Sequence, residues 1–126
     1  MGYRVLVVDD SPMYRILLKE MFQILGHEVI GEADSGASAI QAHQELKPEL
    51  ITLDISLPDS DGLAVLREIR QSDPKVRVII VSGNDQDKVL AQAKALGAAD
   101  FLIKPFRKEN LADILNRMGS GATPAT

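Results

Sequence analysis

Short apolar runs alternate with amphipathic stretches along the chain from Arg4 to Met118. The apolar runs are rich in Val, Ile and Leu, which favours β-strands, and the stretches between them repeat apolar residues at helical spacing. The predicted strands are Arg4–Val8, Glu28–Ala33, Leu50–Leu53, Arg77–Val81 and Phe101–Ile103. The predicted helices are Pro12–Leu25, Ala37–Leu46, Gly62–Gln71, Asp87–Leu96 and Lys108–Met118. Apolar strands separated by helices indicate an α/β fold with a parallel sheet covered on both faces.

Residues with strong positional preferences agree with these boundaries. Ser11 can cap the first helix with Pro12 at its first position, and Gly26 and Gly97 stand where two helices are predicted to end. Five strand–helix units therefore form one domain over residues 1–118. The remaining residues, 119–126, are small, polar and poor in large apolar side chains, which predicts a disordered tail or a truncated linker.

Composition narrows the function classes. A chain of 126 residues is long enough for one ordinary domain. The net charge of −4 predicts no general attraction to nucleic acid or to an anionic membrane. Cysteine is absent, which excludes disulfides, thiolate metal sites and cysteine nucleophiles. With no signal-peptide pattern and no apolar stretch of membrane-spanning length, we expect a soluble cytoplasmic protein.

Chemically active side chains follow the predicted strands. Asp9 and Asp10 follow the first strand, Asp54 the third, Ser82 the fourth and Lys104 the fifth. Each has an ordinary interpretation when it is taken alone, such as a helix cap, a turn residue or a solvated lysine. Ligands bind at the carboxyl ends of the strands in open parallel sheets, and packing does not require all five groups there. Their combination therefore predicts a functional site.

The residue types at this edge predict a metal and phosphoryl chemistry. Three clustered carboxylates repel one another unless a cation joins them, and oxygen ligands without Cys or His favour Mg²⁺. A metal and a lysine can neutralise a transferring phosphoryl group while an aspartate acts as the nucleophile. The sequence contains neither G-x-x-x-x-G-K-[ST] nor G-x-G-x-x-G, so a nucleotide is not the expected phosphate source.

Four segments resemble the receiver domain of two-component response regulators, of the chemotaxis type with a single receiver. They are "VLVVDD", "ITLDISLPDSDG", "VIIVSG" and "GAADFLIKPF", and their order and spacing extend the resemblance from Tyr3 to Met118. The resemblance implies a flavodoxin-like, doubly wound fold with a five-stranded parallel sheet in the order 2-1-3-4-5.

The resemblance also assigns roles to residues of the predicted site. Asp54 matches the aspartate that accepts the phosphoryl group. Asp10 matches a direct Mg²⁺ ligand, Asp9 a ligand that acts mainly through water, and the carbonyl of Ser56 a main-chain ligand. Lys104 matches the lysine that pairs with the phosphoryl oxygens, and the peptide bond that follows it is often cis in this family.

Two further positions resemble the conformational switch of the family. Ser82 matches the hydroxyl residue that moves toward the phosphoryl group, and Phe101 occupies the aromatic position that turns inward in response. Without the resemblance, the sequence favours an ordinary core position for Phe101. Ser56 and Asn84 occupy positions that set the lifetime of the phosphoryl group in the family.

The implied function is a signalling domain that catalyses only its own phosphorylation and dephosphorylation. The resemblance implies a histidine kinase or histidine phosphotransferase as the donor and an output protein or a fused effector domain as the receiver of the signal. Dimerisation on activation is a further possibility. Two alternatives remain open: a receiver-like interaction module that works without phosphorylation, and a flavodoxin-type FMN protein.

Two groups of residues gave further expectations. Met13 and Tyr14 lie in the first turn of the first helix, next to the predicted acidic site. Together with Ile16 they could form a dock for a helix of the donor protein, or they could pack against neighbouring loops. His27 and His43 are expected at the surface, without a chemical role.

Overall fold

The computed structural model describes residues 2–57, 59, 61–83 and 87–122 and contains a five-stranded parallel sheet in the order β2-β1-β3-β4-β5. The predicted α/β fold class and strand order are therefore confirmed. The strands are β1 (Arg4–Val8), β2 (Glu28–Ala33), β3 (Leu50–Asp54), β4 (Arg77–Ser82) and β5 (Asp100–Ile103). The helices are α1 (Pro12–Ile24), α2 (Gly36–Leu46), α3 (Gly62–Ser72), α4 (Asp87–Ala95) and α5 (Lys108–Ala122).

The sheet separates two apolar cores because side chains alternate between its faces. In β1, Val5 and Val7 pack in a core with residues of α1 and α5, whereas Leu6 and Val8 pack in a core with residues of α2, α3 and α4. Both cores are mainly aliphatic. Together they hold the central strands rigidly and fix the positions of the residues at the strand ends.

The predicted helix boundaries have a local physical basis. Ser11 caps α1, since its hydroxyl accepts a hydrogen bond from the backbone N–H of Tyr14 at 3.3 Å. Gly26 and Gly97 follow α1 and α4 with φ of 90° and 100°, in the left-handed region that favours glycine. Each helix thus stops where the chain reverses direction to enter the next strand.

The last helix extends beyond its predicted end. We predicted that it would end at Met118, and in the structure α5 continues to Ala122. Residues 123–126 of the predicted tail lie outside the described residues. Neither α5 nor any other described helix has the length and apolar character that crossing a membrane requires.

The two histidines lie in more enclosed positions than we expected. His43 is only 6% exposed, and its Nε2 lies 3.0 Å from Oδ2 of Asp73, the residue that directly follows α3. His27 is half-buried, and its ring stacks on Tyr3. The surface prediction was wrong for His43 because the partner that makes its burial favourable lies 30 residues away in the sequence.

Candidate functional site

Three carboxylates meet at the carboxyl edge of the sheet. One oxygen from each of Asp9, Asp10 and Asp54 lies within 4.8 Å of the others. Asp54 is the last residue of β3, and Asp9 and Asp10 directly follow β1, which is hydrogen-bonded to β3. Asp9 and Asp54 are buried, whereas Asp10 is exposed. The predicted convergence of these side chains is therefore observed.

The two buried carboxylates are held in the same way. Oδ1 of Asp9 accepts a hydrogen bond from the backbone N–H of Ser11 at 2.9 Å, and Oδ1 of Asp54 accepts one from the N–H of Ser56 at 2.8 Å. In each case the donor lies two residues further along the chain, as in an Asx turn. The second oxygen of each carboxylate remains available to other groups of the site.

Lys104 joins these second oxygens. Its Nζ lies 2.9 Å from Oδ2 of Asp9 and 3.2 Å from Oδ2 of Asp54. The Lys104–Pro105 peptide bond is cis, and the backbone N–H of Lys104 donates to the carbonyl of Ser82 at 2.7 Å. The lysine is thus tied to the ends of three other strands, to β4 through its main chain and to β1 and β3 through its side chain.

Burial and mutual charge determine the protonation of the site. Burial raises the pKa of Asp9 and the charge of Asp54 adds to this, while the Ser11 N–H and the Lys104 ammonium act in the opposite direction without cancelling it. For Lys104, burial alone would lower the pKa, but the two carboxylates outweigh it and the pKa is raised. The lysine is therefore held as a cation between two acidic groups.

The donor set suits a hard divalent cation. All three side chains present oxygen, and the Lys104 ammonium supplies one positive charge against three carboxylates. A divalent cation would balance the remaining negative charge. The carbonyl of Ser56 belongs to the loop that directly follows Asp54. These residues therefore fit Mg²⁺, the ion predicted from the sequence.

The two predicted switch residues lie on neighbouring strands. Ser82 is the buried last residue of β4, and Phe101 is half-buried on β5. Phe101 packs against the core on the α2–α4 side and also lines a groove of 490 Å³ along β5 and α5. Asn84, which we expected to influence the phosphoryl lifetime, lies outside the described residues.

Two contacts of α1 with the site were not predicted. Nη1 of Arg15 donates to the carbonyl of Asp9 at 2.6 Å, and Nε of the same guanidinium donates to Glu32 at 3.1 Å. The ring of Tyr14 lies beside Lys104, with 4.1 Å between Nζ and the ring centroid. The sequence indicated that this turn of helix was near the acidic site, but it carried no signal for a contact between residues 90 positions apart.

Comparison with known proteins identifies the family. The sequence model of the family described as the response regulator receiver domain matches residues 5–116. The chain belongs to this family. Among its relatives, chemotaxis protein CheY of Thermotoga maritima is 38% identical over 118 residues, which cover 94% of this chain and 98% of that protein. Chemotaxis protein CheY of Bacillus subtilis is 37% identical, with 93% and 98% covered.

Solved receiver structures resemble the fold over nearly the whole chain. The response regulator domain of Thermotoga maritima CheB has a TM-score of 0.83 and 34% identity, and 94% of this chain and 98% of that domain are covered. A CheX–CheY–BeF₃–Mg²⁺ complex from Borrelia burgdorferi has a TM-score of 0.85 and 30% identity, with 94% and 88% covered. The resemblance noted from the sequence is therefore confirmed: this is a receiver domain of the response regulator family.

Proposed function

We propose that this receiver domain takes a phosphoryl group from a partner's phosphohistidine onto Asp54 in a Mg²⁺-dependent reaction. The observation that carries the proposal is the position of the Asp54 carboxylate, which is buried at the sheet edge between Lys104 and the other two carboxylates. We further propose that the phosphorylated domain changes its affinity for an output protein or a fused effector domain.

The transfer requires one bond to form and one to break. A carboxylate oxygen of Asp54 attacks the phosphorus, the P–N bond to the donor imidazole breaks, and the electron pair of that bond stays with the imidazole nitrogen. The Ser56 N–H holds Oδ1 of Asp54 at 2.8 Å and so fixes the orientation of the carboxylate. The Lys104 ammonium, 3.2 Å from Oδ2, stabilises negative charge on the phosphoryl oxygens.

The metal ligands of the proposal are Asp9, Asp10, Asp54 and the carbonyl of Ser56. When bound, Mg²⁺ supplies positive charge to the oxygens of the transferring phosphoryl group. The Borrelia CheY complex contains BeF₃ and Mg²⁺, which supports the assignment of a metal and a small anionic group to the matching region of this chain. In the same proposal, Ser82 moves toward the phosphoryl group and Phe101 transmits the change to the surface formed by α4, β5 and α5.

The direct test is the intact mass of the protein after incubation with a small acyl phosphate. We expect a gain of one phosphoryl group in the wild type that requires Mg²⁺. The variant Asp54→Asn should show no gain, and a chelator should abolish the gain in the wild type. A wild type that gains no phosphoryl group from either a small donor or a phosphorylated histidine kinase would instead favour a phosphorylation-independent interaction module.

A protein donor needs a docking surface beside Asp54, and we propose the exposed face of α1. Met13 and Ile16 are 65% and 59% exposed, although both are large apolar side chains. The double variant Met13→Ala/Ile16→Ala should slow transfer from a protein donor and leave transfer from a small acyl phosphate unchanged. Equal slowing with both donors would contradict the docking role. Tyr14 is unsuitable for this test because its ring contacts Lys104.

A further inference from the structure

Lys104 has a third neighbour besides its two carboxylates. Its Nζ lies 4.1 Å from the centroid of the Tyr14 ring, within the distance at which an aromatic face attracts a cation. The lysine side chain is only 15% exposed, so water screens this attraction weakly. The ammonium is therefore surrounded by Asp9, Asp54 and an aromatic face.

The position of the tyrosine ring is itself fixed. The backbone N–H of Tyr14 donates to the capping hydroxyl of Ser11, which holds the first turn of α1. On its other side the ring packs against Phe106, with centroids 5.6 Å apart and an interplanar angle of 43°. Phe106 is buried in the α1–α5 core. Tyr14 therefore contacts the lysine with a ring that is itself packed against the α1–α5 core.

We propose that Tyr14 is a positioning residue that holds the Lys104 ammonium against Asp54. Its effect on phosphoryl transfer rests on the function proposed above, whereas its effect on the position of the lysine does not. Ordinary core packing accounts for the contact with Phe106 but does not require the ring to face an ammonium group.

The aromatic contact differs in kind from the two ion pairs. Both ion pairs use carboxylates that would also hold a cation, and phosphorylation would convert the Asp54 carboxylate into an acyl phosphate. The attraction to the ring depends on the electrons of the aromatic face and not on these carboxylates. A long lysine side chain also loses conformational freedom when it is held, and a fixed ring reduces the number of positions open to it. Tyr14 can therefore keep the ammonium in place while the charges around it change.

The test compares Tyr14→Phe with Tyr14→Leu. Phenylalanine keeps the aromatic face and removes only the hydroxyl, while leucine removes the face and keeps an apolar side chain. Tyr3→Leu is the matched control, because Tyr3 also packs against the α1–α5 core but stacks on His27, away from Lys104. Tyr14→Met serves as a second variant without an aromatic face if the leucine variant does not fold.

The first measurement is the NMR chemical shift of the Lys104 ε-methylene protons, which requires no phosphorylation. Protons above an aromatic face are shifted upfield by its ring current. We expect this upfield shift in the wild type, in Tyr14→Phe and in Tyr3→Leu, and its loss in Tyr14→Leu. An unshifted wild type, or a shift that persists in Tyr14→Leu, would overturn the positioning role.

The second measurement is the rate of phosphorylation by a small acyl phosphate in Mg²⁺. We expect a decrease of about 3-fold to 10-fold in Tyr14→Leu, which corresponds to the usual strength of a partly desolvated cation–π contact. Tyr14→Phe and Tyr3→Leu should keep the wild-type rate. A wild-type rate in Tyr14→Leu would overturn the proposed effect on transfer, and a wild type that is never phosphorylated would overturn the proposed function while leaving the NMR result to decide the position of the lysine.

Discussion

One hydroxyl group in the central strand, β3, is buried among apolar side chains. Thr52 is fully buried in β3, and among the described residues its Oγ1 has no hydrogen-bond partner. Its neighbours on the adjacent strands are Val7 and Ile79, which are both apolar. By alternation along β3, Thr52 shares the sheet face of Leu50, toward the α1–α5 core. A polar group without a partner in such a place costs free energy.

Replacing this hydroxyl with a methyl group should stabilise the protein. We expect Thr52→Val to raise the free energy of unfolding by about 1 kcal/mol, because the shape is kept and the unpaired polar group is removed. Thr52→Ser is the control, since it keeps the hydroxyl, loses a buried methyl group and should lower the stability. Urea unfolding of the three proteins checks the prediction, and a valine variant less stable than the wild type would contradict it.

His27 should make the stability depend on pH. Its Nδ1 accepts a hydrogen bond from the backbone N–H of Tyr3 at 2.9 Å, and its ring stacks on Tyr3. Burial lowers the pKa of His27 from its ordinary value of 6.5. The folded protein therefore binds this proton more weakly than the unfolded chain does. The contribution of His27 to the free energy of unfolding is therefore fully present above about pH 6.5 and is lost as the pH falls through the folded-state pKa.

The measurement is urea unfolding of the wild type and of His27→Phe at two pH values. When the pH falls from about 7.5 to about 5.5, we expect the free energy of unfolding to decrease by roughly 1 kcal/mol more in the wild type than in His27→Phe. This difference is the usual value of one hydrogen bond. Phenylalanine keeps a ring to stack on Tyr3 but does not titrate. The raised pKa of Asp9 changes the stability with pH in the opposite direction. Because Asp9 is present in both proteins, its effect cancels when their changes in free energy are subtracted. Identical pH dependence in both proteins would show that His27 has no such role.

At the scale of elements, the loop after β3 is attached to the start of α2. The carboxylate of Asp59 accepts hydrogen bonds from the N–H groups of Gly36 at 2.7 Å and Ala37 at 3.2 Å. Such N–H groups have no partner within the helix, and a negative charge near them also favours the helix dipole. This loop carries the Ser56 carbonyl, so the start of α2 helps to position one of the proposed metal ligands.

Removing this cap should weaken the fold measurably. We expect Asp59→Ala to lower the free energy of unfolding by about 1 kcal/mol, a usual cost for loss of a helix cap. Asp59→Asn keeps an oxygen acceptor without the charge, so its free energy of unfolding should decrease less than that of Asp59→Ala. Urea unfolding of the three proteins gives the comparison. An alanine variant as stable as the wild type would mean that water replaces the carboxylate at no cost.

The elements themselves could be predicted because their signals are local. Both β1 and β2 have the predicted bounds, since their short apolar runs lie between residues typical of turns. The end of α5 could not be predicted in this way. Its last four residues, "GSGA", include two glycines, which have low helix propensity, and the helix nevertheless continues through them.

The same distinction between local and long-range signals applies to the candidate site. Asp9, Asp54 and Lys104 could be predicted to meet because all three follow or end strands of one parallel sheet. The cap from Asp59 to α2 and the contact of Tyr14 with Lys104 could not, because each joins residues far apart in the sequence. Such contacts depend on the packing of neighbouring elements, and no local pattern encodes them.

At the scale of the whole molecule, burial of the two apolar cores favours folding, whereas repulsion between the carboxylates at the edge of the sheet opposes it. The cores bring three carboxylates together, and Lys104 supplies one positive charge against them. Burial raises the pKa of Asp9, and the nearby charge of Asp54 raises it further. A divalent cation at this edge would relieve the repulsion only in the folded state, because the unfolded chain does not hold the three groups together.

Binding of Mg²⁺ should therefore raise the thermal stability of the entire domain. A ligand at about 100 times its dissociation constant adds about 2.7 kcal/mol to the free energy of unfolding, so the midpoint should rise by several degrees. In Asp10→Asn, whose altered side chain is exposed, we expect the metal-free protein to fold normally and to gain little from MgCl₂. NaCl at equal ionic strength separates site binding from general screening. An equal rise with both salts, or in both proteins, would mean that the carboxylates of this edge do not bind the ion together.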